Sequence, residues 1–305
     1  MNPHRSSRVQ LLAMGWAIVA VSFWGASFTA TKVAVKEVSP LMLLWLRFAI
    51  GAMALGALLL CRGKLRLLPV RDLLDFALLG FIGVFLHNYI QSTGLQTAAA
   101  GVSALIVAST PVVIALFGAF FLAERLNWFQ ILGIFTAAAG VILIVTDGQI
   151  SLFFEQGIDT GELFVMTSVL TWASFSVLSR NKLTKYSPSL AMFYVMLSGW
   201  FFISITMVFR GSFVEIAQLD TTGWISVLFL GLFCSALAYL LWYSALKALP
   251  ASRVGIFMYL QPLVGVSVAS FLLSEPLRIT LVTGGALILT GMTLVNYRSL
   301  TVCKK

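Results

Sequence analysis

The apolar positions of this chain gather into ten long runs with short polar connections between them. The runs lie near residues 11–32, 41–61, 73–93, 101–122, 128–146, 162–180, 189–208, 224–245, 253–273 and 277–297. Each is about 20 residues long, the length at which an α-helix rising 1.5 Å per residue crosses the ~30 Å hydrocarbon layer. Inside hydrocarbon a backbone must satisfy its own hydrogen bonds, so such runs are predicted to be helices. The predicted fold class is an all-α integral membrane protein with ten transmembrane helices.

The pattern also returns on itself. The stretch 111–126, PVVIALFGAFFLAERL, comes back as 262–277, PLVGVSVASFLLSEPL, shifted by 151 residues. At that shift Phe120 falls on Phe271, Glu124 on Glu275, Gly133 on Gly284 and Gly140 on Gly291. Earlier helices repeat at a shift of 148, which sets Trp24 on Trp172, Ser39-Pro40 on Ser187-Pro188 and Gly51 on Gly199. A tandem internal repeat follows, with one five-helix unit over 11–146 and a second over 162–297. Five is odd, so the second unit enters the membrane from the opposite side. The two are predicted to be inverted repeats related by a pseudo-two-fold axis in the membrane plane, an arrangement of transporters with a midplane substrate site.

Composition fits. The chain is 60% hydrophobic and 10% charged, against about 25% charged in soluble domains. The net charge of +9 does not point to nucleic acid, because the basic residues sit in short loops. One set of loops holds both termini, 62–71, Arg125, 180–185, Lys247 and Arg253. The opposite set holds only Lys32, Lys36, Arg210 and Arg278. Positive loops stay in the cytoplasm, so both termini are expected there. The first run follows Arg5 and Arg8 but continues to about Thr31, too long for a signal-peptide core. Cys61, Cys234 and Cys303 are odd in number and far apart, with no disulfide framework or metal spacing.

Candidate chemistry concentrates near the midplane. Pro111 and Pro262 lie near the middles of runs four and nine. Each removes a hydrogen bond and crowds the carbonyl four residues earlier, at Val107 and Met258. Such a carbonyl needs a polar partner or a wet cavity, and Ser109, Thr110, Tyr259 and Gln261 are at hand. The two prolines are expected hinges. Trp24 and Trp172 are paired by the repeat, with Ser27 and Thr31 continuing the Trp24 face. Run three carries a polar stripe of Gly80, Gly83, His87, Gln91 and Gly94 on one helix face. His87 reads either as a proton or substrate group, or as a neutral ring bonded to a nearby hydroxyl or carbonyl. Tyr239, Trp242 and Tyr243 share a side of run eight. Arg47, six residues into run two, is long enough to snorkel outward. Its repeat position is Val195. Glu124 and Glu275 close runs four and nine, where they start the next helix or pair with Arg125 and Arg278. Small residues of runs five and ten, Gly133, Ala137, Gly140, Gly284 and Gly291, allow close packing within a half or against a second copy.

Trp24-Gly25, Pro40 with Arg47-Phe48, and the 111–126 stretch with its copy resemble the ten-helix drug/metabolite transporters of the EamA type. The resemblance covers about 11–297. It implies a central cavity lined by helices 1, 3, 4, 6, 8 and 9, with helices 5 and 10 peripheral. It also implies export of amino acids or related small metabolites, with sugars, amines or drugs as alternatives. Pro276 replaces, in the second copy, the arginine found at 125.

The expectation is a secondary transporter working by alternating access. Its substrate site would use Trp24, His87, Gln91, Thr110, Trp172, Tyr239, Tyr243 and Gln261. No catalytic residue, cofactor or metal is expected. The partners are a small-molecule substrate, the lipid bilayer and a second copy through helices 5 and 10, and not nucleic acid. A lipid-acting enzyme would have only Glu124-Arg125 or Glu275 with Arg278 to work with.

Overall fold

The computed structural model describes residues 3–110, 112–113, 116–117, 128–149, 159–179, 185–210, 213–249, 254 and 257–295. The described residues form ten helical rods and no strand. They are α1 (Pro3–Ala34), α2 (Pro40–Cys61), α3 (Val70–Gly94), α4 (Ala100–Ala108), α5 (Trp128–Val145), α6 (Thr160–Ser179), α7 (Pro188–Arg210), α8, α9 (Leu260–Leu273) and α10 (Ile279–Val295). α8 runs through three joined segments, Thr221–Leu228, Phe229–Leu237 and Ala238–Ala248. Rods α1, α2, α3, α7 and α8 are long and apolar enough to cross a membrane. The shorter apolar helices are α5, α9 and α10.

Local chemistry explains where rods begin. Ser39 is extended and its hydroxyl accepts from Met42 N at 3.3 Å, with Pro40 at the first helical position. A serine cap followed by a proline that needs no donor is a helix start. The repeat places Ser187-Pro188 at the start of α7. α8 starts on Asp220, whose Oδ1 accepts from Thr222 N and Gly223 N at 2.6 and 2.8 Å.

The crossings reveal the two-fold relation. A Cβ on Gly80 of α3 would stand 2.5 Å from the carbonyl oxygen of Val195 in α7. One on Gly231 of α8 would stand 3.1 Å from the carbonyl oxygen of Arg47 in α2. Gly80 maps on Gly231 and Arg47 on Val195, so each crossing is the image of the other. A Cβ on Gly140 would meet Gly284 O at 2.6 Å, and one on Gly291 would meet Gly133 O at 2.5 Å. With 133 mapping on 284 and 140 on 291, these contacts also exchange. Reciprocal contact of this kind is the mark of a two-fold axis. The glycines of α5 and α10 thus face each other inside the chain, and any contact with a second copy would use the outer faces.

Two segments depart from α-geometry, Phe81–Leu86 in α3 and Phe229–Leu237 in α8. Both are π-helical. The 151 shift carries the first into the second. In a π-helix each hydrogen bond spans five residues, so the turn is widened and its carbonyls are under-used. Side chains attend to these carbonyls. Asn88 Nδ2 donates to Gly83 O at 3.2 Å and Val84 O at 3.0 Å. Trp24 Nε1 donates to Cys234 O at 3.1 Å. Gly83 and Cys234 are repeat equivalents.

The fourth and ninth spans change geometry near the middles of runs four and nine. α4 gives way at Ser109, where Thr110 Oγ1 donates to Val107 O at 2.5 Å and Ser109 Oγ to Ile106 O at 2.7 Å. The carbonyl expected to lose its partner beside Pro111 is thus taken up by the neighbouring hydroxyl. Pro111 itself lies outside the described residues. α9 begins at Leu260 after a 3₁₀ turn, Phe257–Tyr259. Buried Pro262 therefore stands in the first turn of an α-helix, where a missing N–H leaves no bond unmade.

The face reached by the end of α1 is tied across the halves. Glu275 Oε1 accepts from Ala100 N at 2.8 Å, and Oε2 from Gly101 N at 2.9 Å. Lys32 Nζ donates to the carbonyls of Thr97 and Ala98. Thr97 Oγ1 donates to Asp159 Oδ1 at 3.2 Å. The expectation that Glu275 would pair with Arg278 is corrected: Arg278 binds Asp147 at 2.5 Å. Thr280, and then Arg278, hold the Asp147 carboxyl below its ordinary pKa of 3.8. Its contribution is therefore present above the unfolded value and lost only as the pH falls through the lower folded one. On the opposite face Lys185 Nζ meets both Asp72 oxygens at 2.9 and 2.8 Å, which raises the lysine's pKa.

Candidate functional site

A cavity of about 60 Å³ opens beside the fourth and ninth spans. It is lined by Trp24, Ser27 and Phe28 of α1, Arg47 of α2, and His87, Asn88 and Gln91 of α3. Val107 and Thr110 line it from the fourth span, Trp172 from α6 and Tyr239 from α8. Met258 and Gln261 line it from the ninth span. Both repeats contribute. Seven of the eight residues singled out from the sequence meet here, Trp24, His87, Gln91, Thr110, Trp172, Tyr239 and Gln261.

Tyr243 does not line it. It lies one helical turn beyond Tyr239, about 6 Å along the axis. It packs against the apolar cluster that includes Trp24 and Tyr239. Conversion of Tyr239 to phenylalanine is expected to lower transport severalfold, whereas Tyr243→Phe leaves it at the wild-type rate. Initial rates in proteoliposomes separate the two, and equal losses would put Tyr243 back in the site.

The walls are aromatic. The Trp24 ring lies 5.2 Å from Tyr239 and 5.4 Å from Trp242, and the Trp172 ring 5.0 Å from His87 and 6.4 Å from Tyr239. Edge-on and tilted packing at these distances is favourable and rigid. The close approach of α1 needs Gly25, where a Cβ would stand 2.6 Å from Gln261 O.

His87 follows directly on the first π segment. Its Nδ1 lies 3.0 Å from Ser168 O and 3.3 Å from Thr171 Oγ1. A carbonyl only accepts, so Nδ1 carries the proton and Nε2 is the acceptor of the neutral ring. Of the two readings of His87, the geometry supplies the hydroxyl and carbonyl bonds of the second.

Arg47 is the residue whose direction the sequence did not reveal. It does not snorkel outward. It is 6% exposed, lines the cavity, and its Nε donates to Ser235 Oγ of the second π segment at 2.9 Å. The absence of a repeat counterpart was the available signal. Asn88, Ser27, Phe28, Val107 and Met258 complete the lining.

No group of three or more potential metal ligands occurs among the described residues. Cys61 is exposed and Cys234 buried, both as free thiols. The carboxylates considered for lipid chemistry are otherwise engaged where described, Glu275 on the start of α4. Glu124 and Arg125 lie outside the described residues.

The model of the EamA-like transporter family matches residues 11–146 and again 159–297. The chain belongs to that family. An "uncharacterized transporter" of Archaeoglobus fulgidus is 30% identical to this EamA-family chain over 92% of it and 98% of the relative. A "probable amino-acid metabolite efflux pump" of Escherichia coli is 27% identical over 90% and 92%. A solved structure described as "crystal structure of protein" shares the fold, with a TM-score of 0.64 at 21% identity over 93% of this chain and 97% of that one. This EamA-family chain is a multi-pass membrane transporter.

Proposed function

We propose that this transporter exports amino acids or closely related small metabolites across a bacterial inner membrane by alternating access, with both termini in the cytoplasm. The observation that carries the reading is the polar and aromatic cavity lined from both inverted halves. Its volume of about 60 Å³ is room for only a few waters, each needing ~10–15 Å³ by this measure. A cargo of amino-acid size therefore requires the halves to part. Rocking one five-helix unit against the other around the cavity exposes it to each side in turn. Trp24, Trp172 and Tyr239 give the cargo flat apolar walls. Gln91, Gln261 and Thr110 offer it hydrogen bonds, and His87 offers the acceptor of a neutral ring. Pro262, at the start of α9 beside the cavity, serves as a hinge together with Pro111. A relative whose name includes amino-acid metabolite efflux supports the substrate class. A second copy, if one associates through α5 and α10, docks on outer residues such as Phe135 and Val282, both exposed.

The test is flux in proteoliposomes loaded with a panel of radiolabelled amino acids, one sugar and one amine. Amino acids are expected to exit faster than from empty liposomes, and Trp172→Ala to lower that exit by about tenfold, the loss of one good aromatic contact. Movement of the sugar or amine alone would overturn the substrate class.

A further inference from the structure

Among its described lining residues the cavity has one permanent charge. Arg47 holds its proton at any physiological pH, and burying a cation costs several kcal/mol unless an anion meets it. Among the described residues no carboxylate lies within ion-pair distance of Arg47. The described ion pairs, Lys185 with Asp72 and Arg278 with Asp147, stand at the membrane faces. What Arg47 has is one hydrogen bond, to a neutral hydroxyl, and the Phe48 ring with its centroid 5.1 Å from Cζ. Thr29 Oγ1 is the one fully enclosed side-chain nitrogen or oxygen without a partner among the described residues. The remaining guanidinium donors are therefore not sealed in apolar packing; they belong to the cavity wall.

The pseudo-two-fold axis removes the structural explanation. Arg47 maps on Val195 by the 148 shift, and Ser235 maps on Val84 by the 151 shift. The same crossing is thus built twice. In one copy Gly199 packs on Val84, at 2.4 Å from a Cβ placed there. In the other Gly51 packs on Ser235, at 3.0 Å. The α3–α7 crossing holds with two valines, so the α2–α8 crossing does not need arginine and serine to form. The polar pair is an addition to one half only, and it faces the cavity.

We propose that Arg47 is the anion handle of this cavity. The cargo carries a carboxylate that takes the open guanidinium donors in a forked pair, with Ser235 fixing the orientation of the fork. The Trp24, Trp172 and Tyr239 rings then receive an apolar or aromatic side chain. Net cations are rejected, since no acid among the described lining residues offsets Arg47. This rests on the transport reading above and narrows its substrate class.

The experiment uses the full chain in detergent and compares matched probes, L-phenylalanine, L-phenylalaninamide and 2-phenylethylamine, by quenching of tryptophan emission and by melting shift. On the wild-type protein the acid is expected to bind about tenfold or more tighter than the amide, the value of one charge-assisted pair. Arg47→Lys keeps part of this preference, and Arg47→Gln removes it without weakening the amide. The pair Arg47→Val with Ser235→Val copies the valine crossing. It is expected to fold with an unchanged or higher melting temperature and to lose acid binding. Equal binding of acid and amide by the wild-type protein overturns the proposal, and so does a preference that survives Arg47→Gln. Flux measured on the same samples separates the two readings. Acid that binds through Arg47 but never crosses the bilayer sinks the transport reading and leaves the handle. Flux indifferent to the carboxylate sinks the handle and leaves the transporter.

Discussion

Replacing Gly80 by alanine is expected to destabilise the protein by about 2 to 3 kcal/mol, through overpacking at a helix crossing. The added Cβ would stand 2.5 Å from Val195 O and 2.6 Å from Gly199 N. Both are backbone atoms, and no rotamer change relieves the clash. α3 must slide off α7, and His87 and Gln91 slide with it. A melting temperature lower by on the order of 5 °C is expected in detergent. Gly15→Ala is the control, since nothing lies within 4 Å of its added Cβ and alanine favours a helix. Equal melting of Gly80→Ala and the wild-type protein would falsify the description of this crossing.

The second large effect is expected at Glu275. Its two oxygens hold the N–H groups of Ala100 and Gly101, donors that the start of a helix leaves without partners. The negative charge also suits the positive end of the α4 dipole. Glu275→Ala strips both bonds and is expected to cost about 2 kcal/mol. Glu275→Gln keeps one oxygen and loses less. Hydrogen exchange reads the effect locally, with faster exchange at residues 100 and 101 and little change at the Lys185–Asp72 face. Uniform change over the whole chain, or none, would show that the seam does not depend on this carboxylate.

Much of this was legible from residue spacing. Run length gave the rods, and the 148 and 151 shifts gave the pairing later seen in reciprocal glycine contacts. Helical spacing brought His87 and Gln91 to one face, and the repeat brought Trp24 and Trp172 to one depth. What escaped has a common cause. Depth along a helix can be counted from its start, but the direction around the axis depends on the neighbours. Arg47 was placed at the right depth and given the wrong heading. Tyr243 had a suitable heading and stood one turn too far. Glu275 found main-chain donors on a helix 175 residues away in sequence, and no local pattern announces such a partner. The π segments left no mark either, because FIGVFL and FLGLFCSAL suit an α-helix equally well.

Those two segments give α3 and α8 a property that ordinary spans lack. A widened turn accommodates one residue more than α-geometry allows, so the rod on either side is out of phase with itself. In α3, Gly80 is set against α7 by the upper phase, and His87 and Gln91 are set by the lower one. In α8, Gly231 lies within the widened segment and Tyr239 just beyond it. Each rod therefore serves two masters, a tight crossing and a chemical wall. A single-residue deletion inside 81–86 is expected to be absorbed by the turn's return to α-geometry, with the crossing above and the cavity side chains below kept in place. The same deletion in the α-helical part of the rod would turn one end against the other by ~100°.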